Sequence, residues 1–336
     1  MKIAIIGAGA VGGYVGVRLA LAGEEVSFVA RGANLSAIRA AGMKLVLADG
    51  SEQVATGVRA FDDYQAVGAQ DMVILAMKAH QVEAVVDEVP KLLGPETVVV
   101  TMQNGIPYWY FHQHGGELEG SCVRSVDPHG QILLKLGPER VIGCVVYPAS
   151  ELIAPGVVRL IEGDRFPVGE LDGSISRRVT DVSECFTRAG FKAPVLDNIR
   201  AEIWLKLWGN LTFNPISALS RSTLADICQY PLTRELAAAM MTEAQNVAHK
   251  LGITFRVPLE KRIAGAEKVG KHKTSMLQDV EAGRDPEVDA LVGSVVELGH
   301  LTRTPTPHIG AVYALTKLLA KTLQEERTAQ SQGSRV

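Results

Sequence analysis

The sequence predicts an α/β protein in which a doubly wound parallel sheet is followed by an all-helical C-terminal domain. Three observations carry that expectation. An apolar run near the start, Ile3-Ala4-Ile5-Ile6, leads straight into a glycine-rich turn and then a helix-like stretch from Val11 to Ala22. Short β-rich runs then alternate with helical stretches up to about residue 196, the pattern that makes a parallel sheet with helices on both faces. Beyond Asp197 the strand pattern stops and only helical periodicity remains.

The turn reads Gly7-Ala8-Gly9-Ala10-Val11-Gly12, and a place between strand and helix is the context in which G-x-G-x-x-G becomes informative. The first glycine permits the turn, the second lets backbone approach a pyrophosphate, and the third lets helix pack close to strand. The diphosphate then sits on the positive end of the helix dipole. A Rossmann-type domain with these six residues as cofactor contacts is expected, an ordinary glycine-rich turn being the plainer alternative. The second strand, Glu25 to Ala30, is followed by Arg31, where NAD-binding versions place an acid on the ribose 2′-hydroxyl. A guanidinium pairs instead with a 2′-phosphate, so NADP(H) is favoured over NAD, against the reading of Arg31 as a solvated surface residue.

The next elements follow in order. Asp71 to Ala76 reads as a strand, His80 to Val89 as a helix and Thr97 to Thr101 as another strand. Cys144 to Gly169, broken by Pro148, Pro155-Gly156, Gly163 and Pro167, reads as antiparallel strands extending the same sheet. Ser174 to Ala189 is helical and Lys192 to Leu196 a closing strand, which completes a cofactor domain over residues 1–196. Helices are expected at Arg200–Phe213, Leu232–Leu251, Val257–Gly270, Pro286–Leu301 and from Ile309 to about Leu323, forming a second domain over 197–326. Residues 327–336 are polar and aperiodic and read as a disordered tail.

A length of 336 residues suits two domains, and 47% apolar residues can give each a core. Net charge of −3 excludes the basic footprint of a nucleic-acid binder, and the run from Lys268 to Lys273 reads as a solvated helix face. No apolar stretch reaches the ~18 residues that span a bilayer, and the cofactor turn starts too early for a cleaved signal, so a cytoplasmic protein without membrane contact is expected. Cys122, Cys144, Cys185 and Cys228 lack metal-ligand spacing and read as reduced thiols. His112 and His114 read as part of a polar loop, with no metal expected.

Ligands of open α/β sheets bind beyond the carboxyl ends of the strands, which here carry Arg31, Lys78 and Asn104. Lys78 could meet a phosphate or the nicotinamide side, or be a surface lysine. Asn104-Gly105 is also a common turn dipeptide. Lys206, Asn210 and Asn214 fall at i, i+4 and i+8 and so share one helix face among Trp, Leu and Phe neighbours. An amine beside apolar surface is costly to keep charged, so a lysine there can act as general acid toward a ketone oxygen. The alternative is a snorkelling lysine with two asparagines serving carbonyls freed by Pro215. Pro286 fits a first helical position with Asp285 as cap, and Glu287 then stabilises the helix dipole.

At these residues the chain resembles the ketopantoate reductase (2-dehydropantoate 2-reductase) family. The resemblance covers nearly its whole length, through the glycine turn, Arg31, Ala76-Met77-Lys78-Ala79, Gln103-Asn104-Gly105, Gly156-Val157-Val158-Arg159, Ile199 to Leu207, Asn214-Pro215, and Ser275 to Asp279 followed by Glu287. It implies reduction of a branched 2-oxo acid by NADPH in pantothenate and coenzyme A synthesis. It further implies Lys206 as proton donor, and Asn210, Asn214 and Ser275 as substrate contacts. Asn104 would lie between substrate and cofactor, Lys78 and Ala149 would contact NADP, and Glu287 would lie near cofactor and substrate hydroxyl. The chain departs from the family's usual pattern in the aromatic stretch Tyr108-Trp109-Tyr110-Phe111 with its following His112 to Gly116, and in Tyr147-Pro148-Ala149-Ser150. Those differences bear on which oxo acid is used. The aromatic stretch either walls the substrate's carbon chain or packs at the sheet edge.

The expected partner is therefore a small-molecule 2-oxo acid, and the helical domain leaves room for a homodimer that no residue pattern demands. Two other readings stand beside it: a reductase of another 2-oxo or β-hydroxy acid, and a non-catalytic NADP(H)-sensing module. A buried proton donor argues against the sensor, which has no use for one.

Overall fold

The computed structural model describes residues 1–333, and the side chains of residues 1–330. The chain forms two compact units. The first comprises residues 1–103, 107–122 and 127–199, and the second residues 104–106, 123–126 and 200 onward. The division at 199/200 lies three residues beyond the boundary read from sequence, and two short segments of the earlier chain go with the second unit.

In the first unit β1 (Lys2–Ile6) and α1 (Ala10–Leu21) flank the glycine turn, followed by β2 (Glu25–Val29), α2 (Gly32–Ala41), β3 (Met43–Val46), β4 (Glu52–Ala55) and β5 (Arg59–Phe61). Then come α3 (Tyr64–Val67), β6 (Gln70–Leu75), β7 (Leu93–Thr101), α4 (Gln131–Leu136), β8 (Val141–Cys144), β9 (Ala149–Ala154), β10 (Val157–Glu162), β11 (Val168–Gly169) and α5 (Arg177–Arg188). The main sheet has seven strands in the order β11-β8-β7-β6-β1-β2-β5, all pairs parallel except β11 with β8. The order reverses direction beside β1, which puts the carboxyl ends of β1 and β6 at the switch point where α/β sheets bind ligands. The expected doubly wound α/β fold is what forms.

Three expectations within this unit are corrected. Residues 80–89 do not form one helix but a series of 3₁₀ turns at Ala79–Gln81, Glu83–Val85 and Val89–Leu92. β-branched Val82, Val85, Val86 and Val89 crowd the helical turn, and Pro90 lacks an amide donor. The strands read as extending the main sheet also divide. β9 and β10 leave it to pair with β3 and β4 in a second sheet of order β4-β3-β10-β9, because Pro148 interrupts the ladder after β8. Helix α1 lies between the sheets: a Cβ on Gly16 would stand 2.3 Å from Phe28 of β2, and one on Gly13 2.3 Å from Met43 of β3. Finally, residues 192–196 make only two isolated bridges, Arg165 with Lys192 and Val168 with Val195. Pro194 limits that pairing.

The aromatic stretch is structural. Tyr108, Trp109, Tyr110 and Phe111 are all buried, and the Trp109 indole N–H donates to Thr101 Oγ1 at 3.0 Å. Its ring lies over Gly143 of β8, where a Cβ would approach to 3.0 Å. His114 packs edge-on to Phe111 with centroids 5.3 Å apart. Burial pushes the Cys185 thiol up to about 12, so this buried cysteine is inert.

The second unit is helical: α6 (Ile199–Ser220), α7 (Leu224–Gln229), α8 (Pro231–Lys250), α9 (Leu259–Lys268), α10 (Ser275–Glu281), a π turn (Asp289–Gly293), α11 (Ser294–Leu301) and α12 (Pro307–Gly333). The short helices α7 and α10 were not expected, and two further features differ from expectation. Pro286 and Glu287 precede the helix rather than opening it. Helix α12 continues to Gly333, so residues 327–333 of the expected disordered tail are helical, and 334–336 lie outside the described residues. The helix formers Gln324 to Arg327 carry it, and Arg327 donates to the Gly283 carbonyl at 2.6 Å and pairs with Asp285. No helix among the described residues is long and apolar enough to cross a membrane, and none of their His, Cys, Asp and Glu side chains group in threes to hold a metal.

Replacing Trp109 by Ala removes a fully buried indole and leaves the Thr101 hydroxyl unpaired, so we expect a loss of about 3–5 kcal/mol in urea unfolding. A loss below about 1 kcal/mol would place the ring outside the core.

Candidate active site

The residues read from sequence as nucleotide contacts lie in the first unit. Gly7 adopts φ +100°, and its amide donates to Val29 O at 3.2 Å. Only glycine takes that backbone without strain. A Cβ on Gly12 would stand 2.0 Å from the Gly7 carbonyl oxygen, so the turn closes onto the helix only with glycine there. Gly9 caps α1 with no side chain and no acid follows in the first turn, which leaves the positive helix end for an external anion. A Cβ on Gly9 would have nothing within 4 Å, so there is open space over that end. These features fit a dinucleotide's pyrophosphate.

The side chains around the turn are held by residues outside the motif. Asn34 of α2 donates to Ala8 O at 2.5 Å and accepts from Gly156 N at 2.7 Å, tying the turn to the β9–β10 hairpin. Arg31 is exposed at the N-terminus of α2, beyond the carboxyl end of β2. Burial pushes the nearby Tyr64 hydroxyl up to about 12, against the opposing field of Arg31. Lys78, half-buried after β6, caps the first 3₁₀ turn, its amide donating to Gln81 Oε1 at 3.2 Å. Gln103 Nε2 donates to Leu75 O at 2.8 Å and joins the ends of β6 and β7. Ala149 is half-buried at the start of β9. Sequence reading gave no role to Asn34, Gln81 or Gln103; the partners of Asn34 and Gln103 lie far away in the chain.

The residues read from sequence as catalytic lie in the second unit, on α6. Its apolar side is fixed by Trp204 and Trp208, both fully buried, with the Trp208 indole donating to Met241 O at 2.7 Å and its ring stacked on Phe255 at 4.1 Å. Glu202, one turn before Lys206, pairs with Arg256 at 3.1 Å. The remaining face presents Lys206, Asn210 and Asn214, the helix continuing through Pro215. Lys206 Nζ donates to Asn104 Oδ1 at 2.5 Å, and Asn104 Nδ2 donates to Glu287 Oε2 at 3.4 Å. The reverse orientation of the amide would set N–H against ammonium and oxygen against carboxylate, so charge fixes it. Two turns along, Asn214 Nδ2 donates to Ser275 Oγ at 3.5 Å. Asn210 lies half-buried between these groups on the same face. The face thus offers an ammonium at one end and neutral hydrogen-bonding groups at the other, about 12 Å apart along the helix axis.

Two family models match the chain. The family model described as "Ketopantoate reductase PanE/ApbA" matches residues 3–173, and its C-terminal counterpart matches residues 198–320. The chain belongs to the ketopantoate reductase family. A 2-dehydropantoate 2-reductase from Mesorhizobium japonicum is 55% identical over 95% of this chain and 98% of its own. Another, from Archaeoglobus fulgidus, is 30% identical over 89% of this chain and 90% of its own. A solved structure of this family from Ralstonia solanacearum superposes with a TM-score of 0.92 at 41% identity, covering 96% and 98% of the two chains. The protein is accordingly an oxidoreductase that uses a pyridine nucleotide.

Because a methyl on Gly9 meets no protein atom yet projects over the helix end, Gly9→Ala should leave thermal unfolding unchanged and weaken nucleotide binding about ten- to a hundredfold in fluorescence titration. Unchanged affinity would remove the helix end from the nucleotide site.

Proposed function

We propose that this reductase converts 2-dehydropantoate (ketopantoate) to pantoate with NADPH. The observation that carries the reading is the Lys206 ammonium, hydrogen-bonded to Asn104 at 2.5 Å at the head of a polar face on an otherwise buried helix. The 55% identity to a 2-dehydropantoate 2-reductase supports the same substrate. Burial of Tyr108 to Phe111 supports it further, since the aromatic departure lies in the core. On this reading the enzyme works in the cytoplasm on a small molecule, and a homodimer is compatible with it.

A bound reduced nicotinamide supplies a hydride to the ketone carbon. The chain's own residues handle the oxygen. Lys206 donates an N–H to the ketone oxygen, polarises it, and passes its proton as the alkoxide develops, taking another from water afterwards. Asn104 holds one of the ammonium's three donors and so fixes the direction of the others. Glu287, reached through Asn104, stabilises the charged lysine. Asn210, Asn214 and Ser275 offer donors and acceptors to carboxylate and hydroxyl. In the first unit the α1 N-terminus, Lys78 and Ala149 hold the cofactor, and Arg31 pairs with its 2′-phosphate.

Lys206→Ala should lower kcat by about 10²–10⁴-fold with NADPH binding retained, and Lys206→Arg should fail to restore it, because guanidinium keeps its proton. Near-normal turnover by Lys206→Ala would remove the proton-donor role. Arg31→Asp should cost about ten- to a hundredfold in NADPH affinity and narrow or reverse the preference over NADH. Equal kcat/KM for NADPH and NADH in the unaltered protein would refute that assignment. An NADPH-oxidation screen across 2-oxo acids tests the substrate, and turnover of any of them eliminates a sensing module.

A further inference from the structure

The π turn at Asp289–Gly293 has no part in the chemistry above, yet it touches the loop that carries Asn104. π turns are rare and are retained mainly where they do something. Here the Ser294 amide donates to Asp289 O, five residues back, instead of to Ala290 O. The Ala290 carbonyl accepts elsewhere: from Ile106 N at 3.1 Å and from the Ser294 hydroxyl at 2.7 Å. Ser294 is fully buried. Gly105 lies flush against the same carbonyl, at φ +89°, where a Cβ would stand 2.0 Å from Ala290 O and 2.5 Å from its carbon. The residue before is Asn104.

The outer side of the turn is clamped as well. Asp289 Oδ1 accepts from the Tyr313 hydroxyl at 2.7 Å and Oδ2 from Lys317 Nζ at 2.8 Å, both on α12. The Tyr313 ring covers Gly293, where a Cβ would approach it to 2.9 Å. α12 therefore holds the turn from one side and the Asn104–Ile106 loop is docked on the other.

From this juxtaposition we infer that the π turn is a positioning device for catalysis, with Gly105 and Ser294 acting through the Ala290 carbonyl to set the Asn104 amide, and through it the direction of the Lys206 ammonium. The inference rests on Lys206 as proton donor. In an ordinary helical turn the Ser294 amide would compete with the Ile106 amide for the Ala290 carbonyl. Gly105, Ile106 and Ser294 are positioning residues, since none of them reaches the reacting atoms.

The test is a double-mutant cycle in the full-length protein with NADPH and ketopantoate. Gly105→Ala should lower kcat about a hundredfold and Ser294→Ala about three- to tenfold, the scale of a displaced catalytic group. In an Asn104→Ala background each further loss should shrink to below about twofold, because the relay is already cut. Equal fold-losses in both backgrounds would overturn the inference. A second readout needs no substrate: the rate at which acetic anhydride labels Lys206, followed by mass spectrometry against Lys44 in the first unit. Ser294→Ala and Tyr313→Phe should change that ratio at least about twofold, and an unchanged ratio in both variants overturns the inference even if Gly105→Ala does not fold. A protein that turns over no 2-oxo acid but shows the labelling change would refute the substrate reading and leave the positioning role standing.

Discussion

The amide of Asn104 stands between an ammonium and a carboxylate, and the arrangement of the catalytic unit depends on that placement. An amide has one acceptor end and one donor end, so the two charges can be joined through it in a single orientation. Lys206 comes from a long helix, Glu287 from the stretch before the π turn and Asn104 from a loop far earlier in the chain. Three segments are thereby fixed relative to one another by two hydrogen bonds, the shorter being 2.5 Å. A direct Lys–Glu pair would have satisfied the charges but left the ammonium free to rotate. The neutral relay keeps the lysine aimed.

That precision needs a rigid frame, and the buried side of α6 supplies it. Two fully buried tryptophans, one with its N–H satisfied by Met241 O, leave the helix no freedom to rotate about its axis. The loop segments Asn104–Ile106 and Val123–Val126 are drawn into the same unit. The second is held by Glu297, whose carboxylate accepts from the Arg124 and Ser125 amides, each at 2.8 Å. In both cases a backbone stretch from the earlier chain is captured by a polar group on the helical part. The catalytic unit is therefore built from three separate lengths of sequence.

The parts of this design that repeat at short range were legible. The strand, glycine turn and helix at residues 1–21 announce themselves because their spacing is local, and the i, i+4, i+8 series of Lys206, Asn210 and Asn214 is simple helix geometry. What sequence could not show was pairing across distance. Nothing near Glu287 signals Asn104, and nothing near Ala290 signals Ile106, so the π turn looked like the first turns of an ordinary helix. The second sheet escaped because β3 and β4 are short and its other strands come about a hundred residues later. The stretch from His80 to Val89 has the apolar spacing of a helix, and its valines with Pro90 turned it into 3₁₀ turns. Tyr108 to Phe111 could be read either way because aromatic rings bury in clefts and cores alike.

On the proposed function, discrimination among 2-oxo acids would fall to the other end of the α6 face. Lys206 as proton donor would meet the ketone that every such substrate carries, and so could not tell one from another. Asn214 and Ser275 as substrate contacts could, because a site that hydrogen-bonds a substrate hydroxyl rejects analogues lacking it far more strongly than an apolar pocket rejects a missing methylene. Their mutual contact at 3.5 Å is at the outer limit of a hydrogen bond. Little is lost when a ligand hydroxyl replaces it, whereas an apolar ligand that displaced water there would leave both groups with only that weak contact. On the same proposal a hydroxylated carbon chain is what this end of the face would prefer, and because the groups there are neutral the preference would survive changes of salt that screen a charged contact.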